Sequence, residues 1–141
     1  MKIAVLGSGN GGCAVAAECA LQGHDVRIFD FEEFPANIQA IKEKQGIQST
    51  GILEGLAPVS YAGHDISKSV HGAEVIYVVG PSYAHLPMAQ AYKPVMEKGQ
   101  QVIICPGTNG GALIFKRELG GGRTNSRNHI HYYYRFRTAE N

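Results

Sequence analysis

Residues 7–12 read Gly-Ser-Gly-Asn-Gly-Gly, set between an apolar run, Lys2-Ile-Ala-Val-Leu6, and a stretch of small residues carrying Ala14, Ala16, Ala17 and Ala20. This punctuation constrains the fold more than any other feature of the chain. A short apolar run without alternation is the pattern of a strand covered on both faces. The small-residue stretch, 11–22, reads as a helix that Gly23-His24 brings to an end, glycine being the usual residue after a helix. The spacing G-x-G-x-x-G is a weak signal by itself, because 18 of 141 residues are glycine, about 13% against a usual share near 7%. Its position directly after a buried strand and at the opening of a helix makes it specific.

The rest of the chain repeats that alternation. Val26-Arg-Ile-Phe29 is a second apolar strand closed by Asp30. Glu32 and Glu33 before Pro35 predict a helix with acids in its first turn, ended by Gly46. Residues 47–50 and 59–62 read as short strands either side of Gly51 and Gly55. Asp65 caps a short helix to about His71. Residues 74–79 form the clearest strand and stop at Gly80-Pro81. A helix from about Ala84 breaks at Pro94, residues 101–105 are another buried strand, and Gly110 opens a last helix to Leu119. Strands alternating with helices imply an α/β fold, a doubly wound parallel sheet of the Rossmann type, with right-handed crossovers.

In such a sheet the glycine loop has a definite chemistry. Gly7 allows the tight turn out of the strand, Gly9 lets a pyrophosphate approach the backbone, and Gly12 lets the helix pack closely on the sheet. Ser8, Asn10 and Gly11 complete the loop, and the helix N-terminus offers unpaired N–H groups to the phosphates. Asp30, about 18 residues beyond Gly12, stands where an acid accepts hydrogen bonds from the adenosine ribose. No Arg follows it to accept a 2′-phosphate; Phe31, Glu32 and Glu33 do. NAD is therefore favoured over NADP. Ligands bind at the carboxyl ends of the strands in open parallel sheets, which adds Gly80, Pro81 and Gly107 to the cofactor contacts and gives Asn109 a place near a nicotinamide. His85 is read as a packed or capping residue, since no carboxylate partner is evident. No residue is assigned a catalytic or metal-ligating role.

Composition narrows the class further. Residues 1–119 carry 9 Lys and Arg against 11 Asp and Glu, while residues 120–141 carry 4 Arg against 1 Glu and three of the seven tyrosines. The net charge of +1 makes no case for nucleic acid or an anionic membrane. A single-strand stacking platform in the basic, aromatic tail is disfavoured because the acidic body offers no groove to join it. Cys13, Cys19 and Cys105 lack metal-type spacing. No apolar run approaches the ~20 residues of a membrane span, and the N-terminus is not a signal peptide, so a reducing cytoplasm is expected.

Lys2-Ile-Ala-Val-Leu-Gly-Ser-Gly-Asn-Gly-Gly12, Ala73-Glu-Val-Ile-Tyr-Val-Val-Gly-Pro81 and Cys105-Pro-Gly-Thr-Asn-Gly-Gly-Ala-Leu113 together resemble the N-terminal domain of the opine (octopine/nopaline-type) dehydrogenases. That group is related to NAD-dependent glycerol-3-phosphate dehydrogenases. The resemblance covers residues 1 to about 119 and implies hydride transfer between a nicotinamide and the imine of an amino acid and a keto acid. It also implies a second, catalytic domain that this chain does not supply, so the chain is expected to bind NAD weakly at best and to turn nothing over. Amino acid and keto acid would be partners only of a full-length enzyme. Two alternatives share the first motif: the N-terminal domain of a glycerol-3-phosphate-type dehydrogenase, and a non-catalytic regulatory nucleotide-binding module.

The resemblance stops at Gly120. The family continues into a sixth strand and a Glu-Thr-Ser-like run, whereas residues 120–141 form an aberrant basic, aromatic tail, expected to be disordered or out of frame. Codons for Arg127-Asn-His-Ile-His131, read one nucleotide later, can encode Glu-Thr-Thr-Ser-Thr. The sheet is accordingly expected to be truncated before its last strand, with residues 101–105 as its edge.

Overall fold

The computed structural model describes residues 1–107, 110–120 and the backbone strand 130–132. Among these, eight strands and five α-helices follow in the order β1 (Lys2–Leu6), α1 (Asn10–Leu21), β2 (Asp25–Phe29), α2 (Pro35–Lys44), β3 (Gly46–Ser49), β4 (Gly55–Pro58), β5 (Tyr61–Gly63), α3 (Ile66–Val70), β6 (Val75–Val79), α4 (His85–Tyr92), β7 (Gln101–Cys105), α5 (Gly111–Glu118) and β8 (Ile130–Tyr132). The main sheet has the order β5-β2-β1-β6-β7-β8, and all its pairings are parallel. The order in which the chain adds strands reverses between β1 and β6, and a doubly wound fold binds ligands at that switch point.

β1 shows why its sequence lacks alternation. Ile3 and Val5 enter one apolar cluster with Ala16, Ala17 and Ala20 of α1 and Ile38 and Ile41 of α2. Ala4 and Leu6 enter the other, with Met88, Ala89 and Tyr92 of α4 and Ala112 and Phe115 of α5. Both faces of the sheet are therefore covered, and all four side chains are at most 2% exposed. The alanines of α1 keep its bulk small, so the helix lies close over the strands. Beneath α4 a buried polar chain ties loop to helix. The Tyr92 hydroxyl donates to Gln100 Oε1 at 2.6 Å, as does the Glu97 N–H at 2.9 Å, while Gln100 Nε2 donates to the Val70 carbonyl at 2.8 Å.

Four expectations change. Glu32 and Glu33 lie before α2 rather than in its first turn, which contains no acid. Pro35 begins the helix instead, its fixed φ and missing N–H suiting a first-turn position. Gly46 starts β3 rather than ending α2, because Gln45 takes the left-handed cap conformation at φ 54°. Residues 47–63 hold three strands, not two: β3 and β4 form a separate antiparallel ribbon, Gly46 opposite Pro58 and Ser49 opposite Gly55, and β5 joins the main sheet. Finally, β7 is not the edge. Val102, Ile103 and Ile104 pair with Ile130, His131 and Tyr132. The β-branched and aromatic residues of that segment suit a strand, and pairing it satisfies the backbone groups that an open edge would leave exposed. The remainder of the expected tail, and Asn109, lie outside the described residues.

Candidate dinucleotide site

Parallel register brings the carboxyl ends of β2, β1, β6 and β7 side by side, Leu6 lying between Phe29 and Val78, and Val79 beside Cys105. The glycine loop, Asp30, Gly80-Pro81 and Pro106-Gly107 therefore share one edge of the sheet. Gly7 turns at φ 114°, and a β-carbon there would stand 2.1 Å from the Val79 carbonyl oxygen. Gly12 is tied to Gly7 in turn: a β-carbon on Gly12 would stand 1.8 Å from the Gly7 carbonyl oxygen. No side chain larger than hydrogen fits at either position. Gly11 faces Val79 at 3.1 Å by the same measure, whereas Gly9 has nothing within 4 Å. Gly9 caps α1 without any side-chain hydrogen bond, and the first turn of α1 holds no acid. The leading N–H groups of the helix thus receive no side-chain cap from Gly9, and their partial positive charge is met by no acid within the first turn.

Asp30 sits beneath this loop, 7% exposed. Its Oδ2 accepts from both the Ser8 N–H (2.6 Å) and the Ser8 hydroxyl (2.7 Å), and its Oδ1 accepts from the Phe31 N–H at 2.9 Å. Asp30 therefore organises the loop as well as closing β2. The Ser8 carbonyl accepts from Asn37 Nδ2 at 2.6 Å and from the Cys13 thiol at 3.2 Å. Burial, reinforced by the Asp30 charge, pushes the Cys13 pKa up, so the thiol stays protonated and able to donate. On the β5 side, His64 Nδ1 donates to the Asp30 carbonyl at 2.8 Å. Phe31, Glu32, Glu33 and His64 line a depression of about 520 Å³ next to Asp30.

The β6 side is built differently. Gly80 N–H donates to the Cys105 carbonyl at 3.2 Å, holding the two strand ends together. Pro81 leads into a 3-10 turn, Ser82–Ala84, that runs on into α4. Gly107 is buried. His85 is wholly buried, and neither ring nitrogen reaches a hydrogen-bond partner among the described residues. Desolvation lowers its pKa, the Gly80 backbone acting weakly the other way. Its Nδ1 packs so closely on α5 that a β-carbon at Gly111 would fall 2.0 Å away. The imidazole is thus enclosed between the end of β6 and α5, where desolvation favours its neutral form.

Of the residues singled out by sequence, Gly7, Ser8, Gly9, Asn10, Gly11, Gly12 and Asp30 form one continuous constellation. Gly80, Pro81 and Gly107 lie farther along the same edge. Sequence reasoning does not find Asn37 or His64. Asn37 lies early in a helix with no motif around it, and His64 follows a three-residue strand; both reach the site only through the fold.

A glycine cradle at an uncapped helix N-terminus, on the carboxyl edge of a sheet with this strand order, defines a Rossmann-type dinucleotide-binding domain. The family model for the NAD-dependent glycerol-3-phosphate dehydrogenase N-terminus matches residues 2–110, and the chain belongs to that family. An opine dehydrogenase of Arthrobacter sp. (strain 1C) is 38% identical over 117 residues, covering 82% of this chain and 32% of that protein. A glycerol-3-phosphate dehydrogenase [NAD(P)+] of Azotobacter vinelandii (strain DJ) is 34% identical over 97 residues, 66% of this chain and 26% of that protein. The chain thus spans about a third or less of the length of these curated relatives. Among solved structures, octopine dehydrogenase with NADH and pyruvate aligns over 85% of the chain and 33% of its own at a TM-score of 0.72 and 21% identity. Glycerol-3-phosphate dehydrogenase of Coxiella burnetii aligns over 84% and 37% at 0.67 and 22% identity. The chain corresponds to the N-terminal, nucleotide-binding part of such dehydrogenases. Among the described residues no helix is long and apolar enough to cross a membrane.

Proposed function

We propose that residues 1–119 are the NAD-binding domain of an opine-type dehydrogenase, an enzyme that passes hydride between a nicotinamide and the imine of an amino acid and a keto acid. The observation that carries the nucleotide reading is the open space at Gly9, facing the uncapped start of α1. The N–H groups of Gly9, Asn10 and Gly11 would hold the pyrophosphate there, and Gly80, Pro81 and Gly107 would flank the nicotinamide half. The nicotinamide supplies or accepts the hydride when bound. The residues along this edge would position it, and His85, being enclosed, is assigned no proton transfer. The chain spans about a third or less of the length of its curated relatives, so turnover is assigned to an enzyme of their full length.

NAD is the form this site suits. The depression beside Asp30 is lined by Glu32 and Glu33 and by no Lys or Arg. The one arginine on β2, Arg27, is committed elsewhere, donating to the Lys68 and His71 carbonyls. A 2′-phosphate would enter an acidic setting with no counter-charge. Opine-type chemistry is supported by the higher identity of the opine dehydrogenase relative and by the resemblance of the 105–113 run. The family match supports a glycerol-3-phosphate substrate as the second reading. The three cysteines are free, in keeping with a reducing cytoplasm.

Calorimetric titration of the chain with NADH and with NADPH tests the proposal. NADH should bind at least about tenfold tighter, a difference near 1.4 kcal/mol. Equal or tighter NADPH binding would overturn the role given to the acidic rim, and a folded chain that binds neither would overturn the nucleotide reading. Assaying the full-length enzyme with amino acid plus keto acid against glycerol-3-phosphate separates the two substrate readings.

A further inference from the structure

The Ser8–Gly9 peptide lies within the glycine loop, and its carbonyl is held from outside the glycine motif. Asn37 stands in the first turns of α2, in the next strand–helix unit, and its side chain crosses to the loop to donate to the Ser8 carbonyl at 2.6 Å. The Cys13 thiol donates to the same oxygen at 3.2 Å. On the other side of Ser8, its N–H and hydroxyl are both held by Asp30. The peptide is trans, so its C=O and N–H point in opposite directions within one plane. Fixing the Ser8 carbonyl toward α2 therefore aims the Gly9 N–H away from α2. Nothing lies within 4 Å of the position a β-carbon on Gly9 would take, and Gly9 begins the uncapped end of α1.

We propose that Asn37 is a positioning residue for the pyrophosphate of the dinucleotide, acting through the Ser8 carbonyl to orient the Gly9 N–H. This rests on the nucleotide reading above. Asn37 is exposed and takes no place in either apolar cluster. Among the described residues its side-chain hydrogen bond goes to the loop, so its contribution falls on the site and hardly on the fold. Without it, the Ser8–Gly9 peptide is held by the weaker thiol donor alone and can rotate, turning the Gly9 N–H out of line. Asp30 and Ser8 cannot substitute, because their bonds fix the preceding peptide.

The test uses Asn37→Ala and Asn37→Asp in the 141-residue chain, with NADH followed by calorimetry and ADP and adenosine by NMR titration. Asn37→Ala should weaken NADH and ADP about tenfold, the scale of one lost orienting hydrogen bond. Adenosine, which carries no phosphate, should bind as it does to the unaltered chain, and the thermal midpoint of the ligand-free chain should stay put. Asn37→Asp sets a carboxylate oxygen against the carbonyl, so it should weaken ADP at least as much near neutral pH. If the unaltered chain binds NADH while both variants hold ADP as tightly as it does, the role of Asn37 is refuted. It is refuted equally if adenosine and ADP weaken together, since that outcome marks a general loosening. A folded, unaltered chain that binds neither NADH nor ADP removes the nucleotide reading itself, and the positioning role with it.

Discussion

Two glycines of the loop, Gly9 and Gly12, should respond to alanine in opposite ways. At Gly12 the new β-carbon would lie 1.8 Å from the Gly7 carbonyl oxygen and 2.8 Å from its carbon. Both are backbone atoms, so neither can rotate aside, and α1 must retreat from the sheet. Overpacking of that kind costs about 3 kcal/mol at the upper end of its usual range. Alanine returns about 1 kcal/mol of helix propensity, leaving a net loss near 2 kcal/mol. For a chain of this size that lowers the thermal midpoint by about 6 to 8 °C. At Gly9 a β-carbon meets nothing within 4 Å, and φ is −66°, a conformation any residue adopts. Restricting the unfolded chain favours alanine there by about 0.4–1 kcal/mol. Losing glycine at a helix N-cap costs a similar amount, about 0.5–1 kcal/mol. The two nearly cancel, so Gly9→Ala should leave the midpoint within about 2 °C while its methyl fills the space the pyrophosphate needs and abolishes NADH binding. Thermal unfolding by circular dichroism, paired with NADH titration, measures both quantities. The reasoning is refuted if Gly12→Ala melts with the unaltered chain, or if Gly9→Ala binds NADH unimpaired.

Three other perturbations follow from features away from the loop. Gln100→Leu removes the acceptor of the wholly buried Tyr92 hydroxyl and should destabilise the fold by about 2–3 kcal/mol, the cost of stranding a buried polar group. Adding Tyr92→Phe should restore part of that loss in a double-mutant cycle, and strictly additive effects would contradict the pairing. Glu97 has its carboxyl held below the usual carboxylate range, first by the Gly72 N–H and then by His71. A folded pKa below the unfolded one gives stability that is present above the unfolded value and lost as pH falls through the folded value. Glu97→Gln should therefore flatten the acid limb of stability measured by urea unfolding at successive pH values; an unchanged limb would exclude that linkage. Burial raises the pKa of Cys13, Cys19 and Cys105, so all three should alkylate far more slowly in the native chain than in urea at pH 8, as mass spectrometry would show.

Much of the fold was legible because its rules are written in single residues. Gly7 and Gly12 stand where only a hydrogen atom fits, and Asp30 closes β2 as its position suggests. Ile3, Ala4, Val5 and Leu6 lack alternation because both faces of β1 are covered. Other parts depend on relations between distant segments. β4, Gly-Leu-Ala-Pro, has little strand propensity and exists because it pairs with β3 over α1. Glu32 and Glu33 read as helix-start acids, yet the chain spends them on the rim beside Asp30 before Pro35 begins α2. Asn37 reaches Ser8 across 29 residues, a contact that no local spacing encodes. Asp30 was legible by place but not by company: its three hydrogen bonds to Ser8 and Phe31 emerge only once the turn is formed.

The tightest approaches in the glycine loop, Gly7 to the Val79 carbonyl and Gly12 to the Gly7 carbonyl, involve main-chain atoms on both sides. Every amino acid carries a carbonyl, so mutation at Val79 can change the side chain without altering the surface that Gly7 meets. The loop's shape is inherited through the peptide backbone and two absent side chains. Sequence drift elsewhere in the sheet can then run far while the outline of the cradle stays fixed.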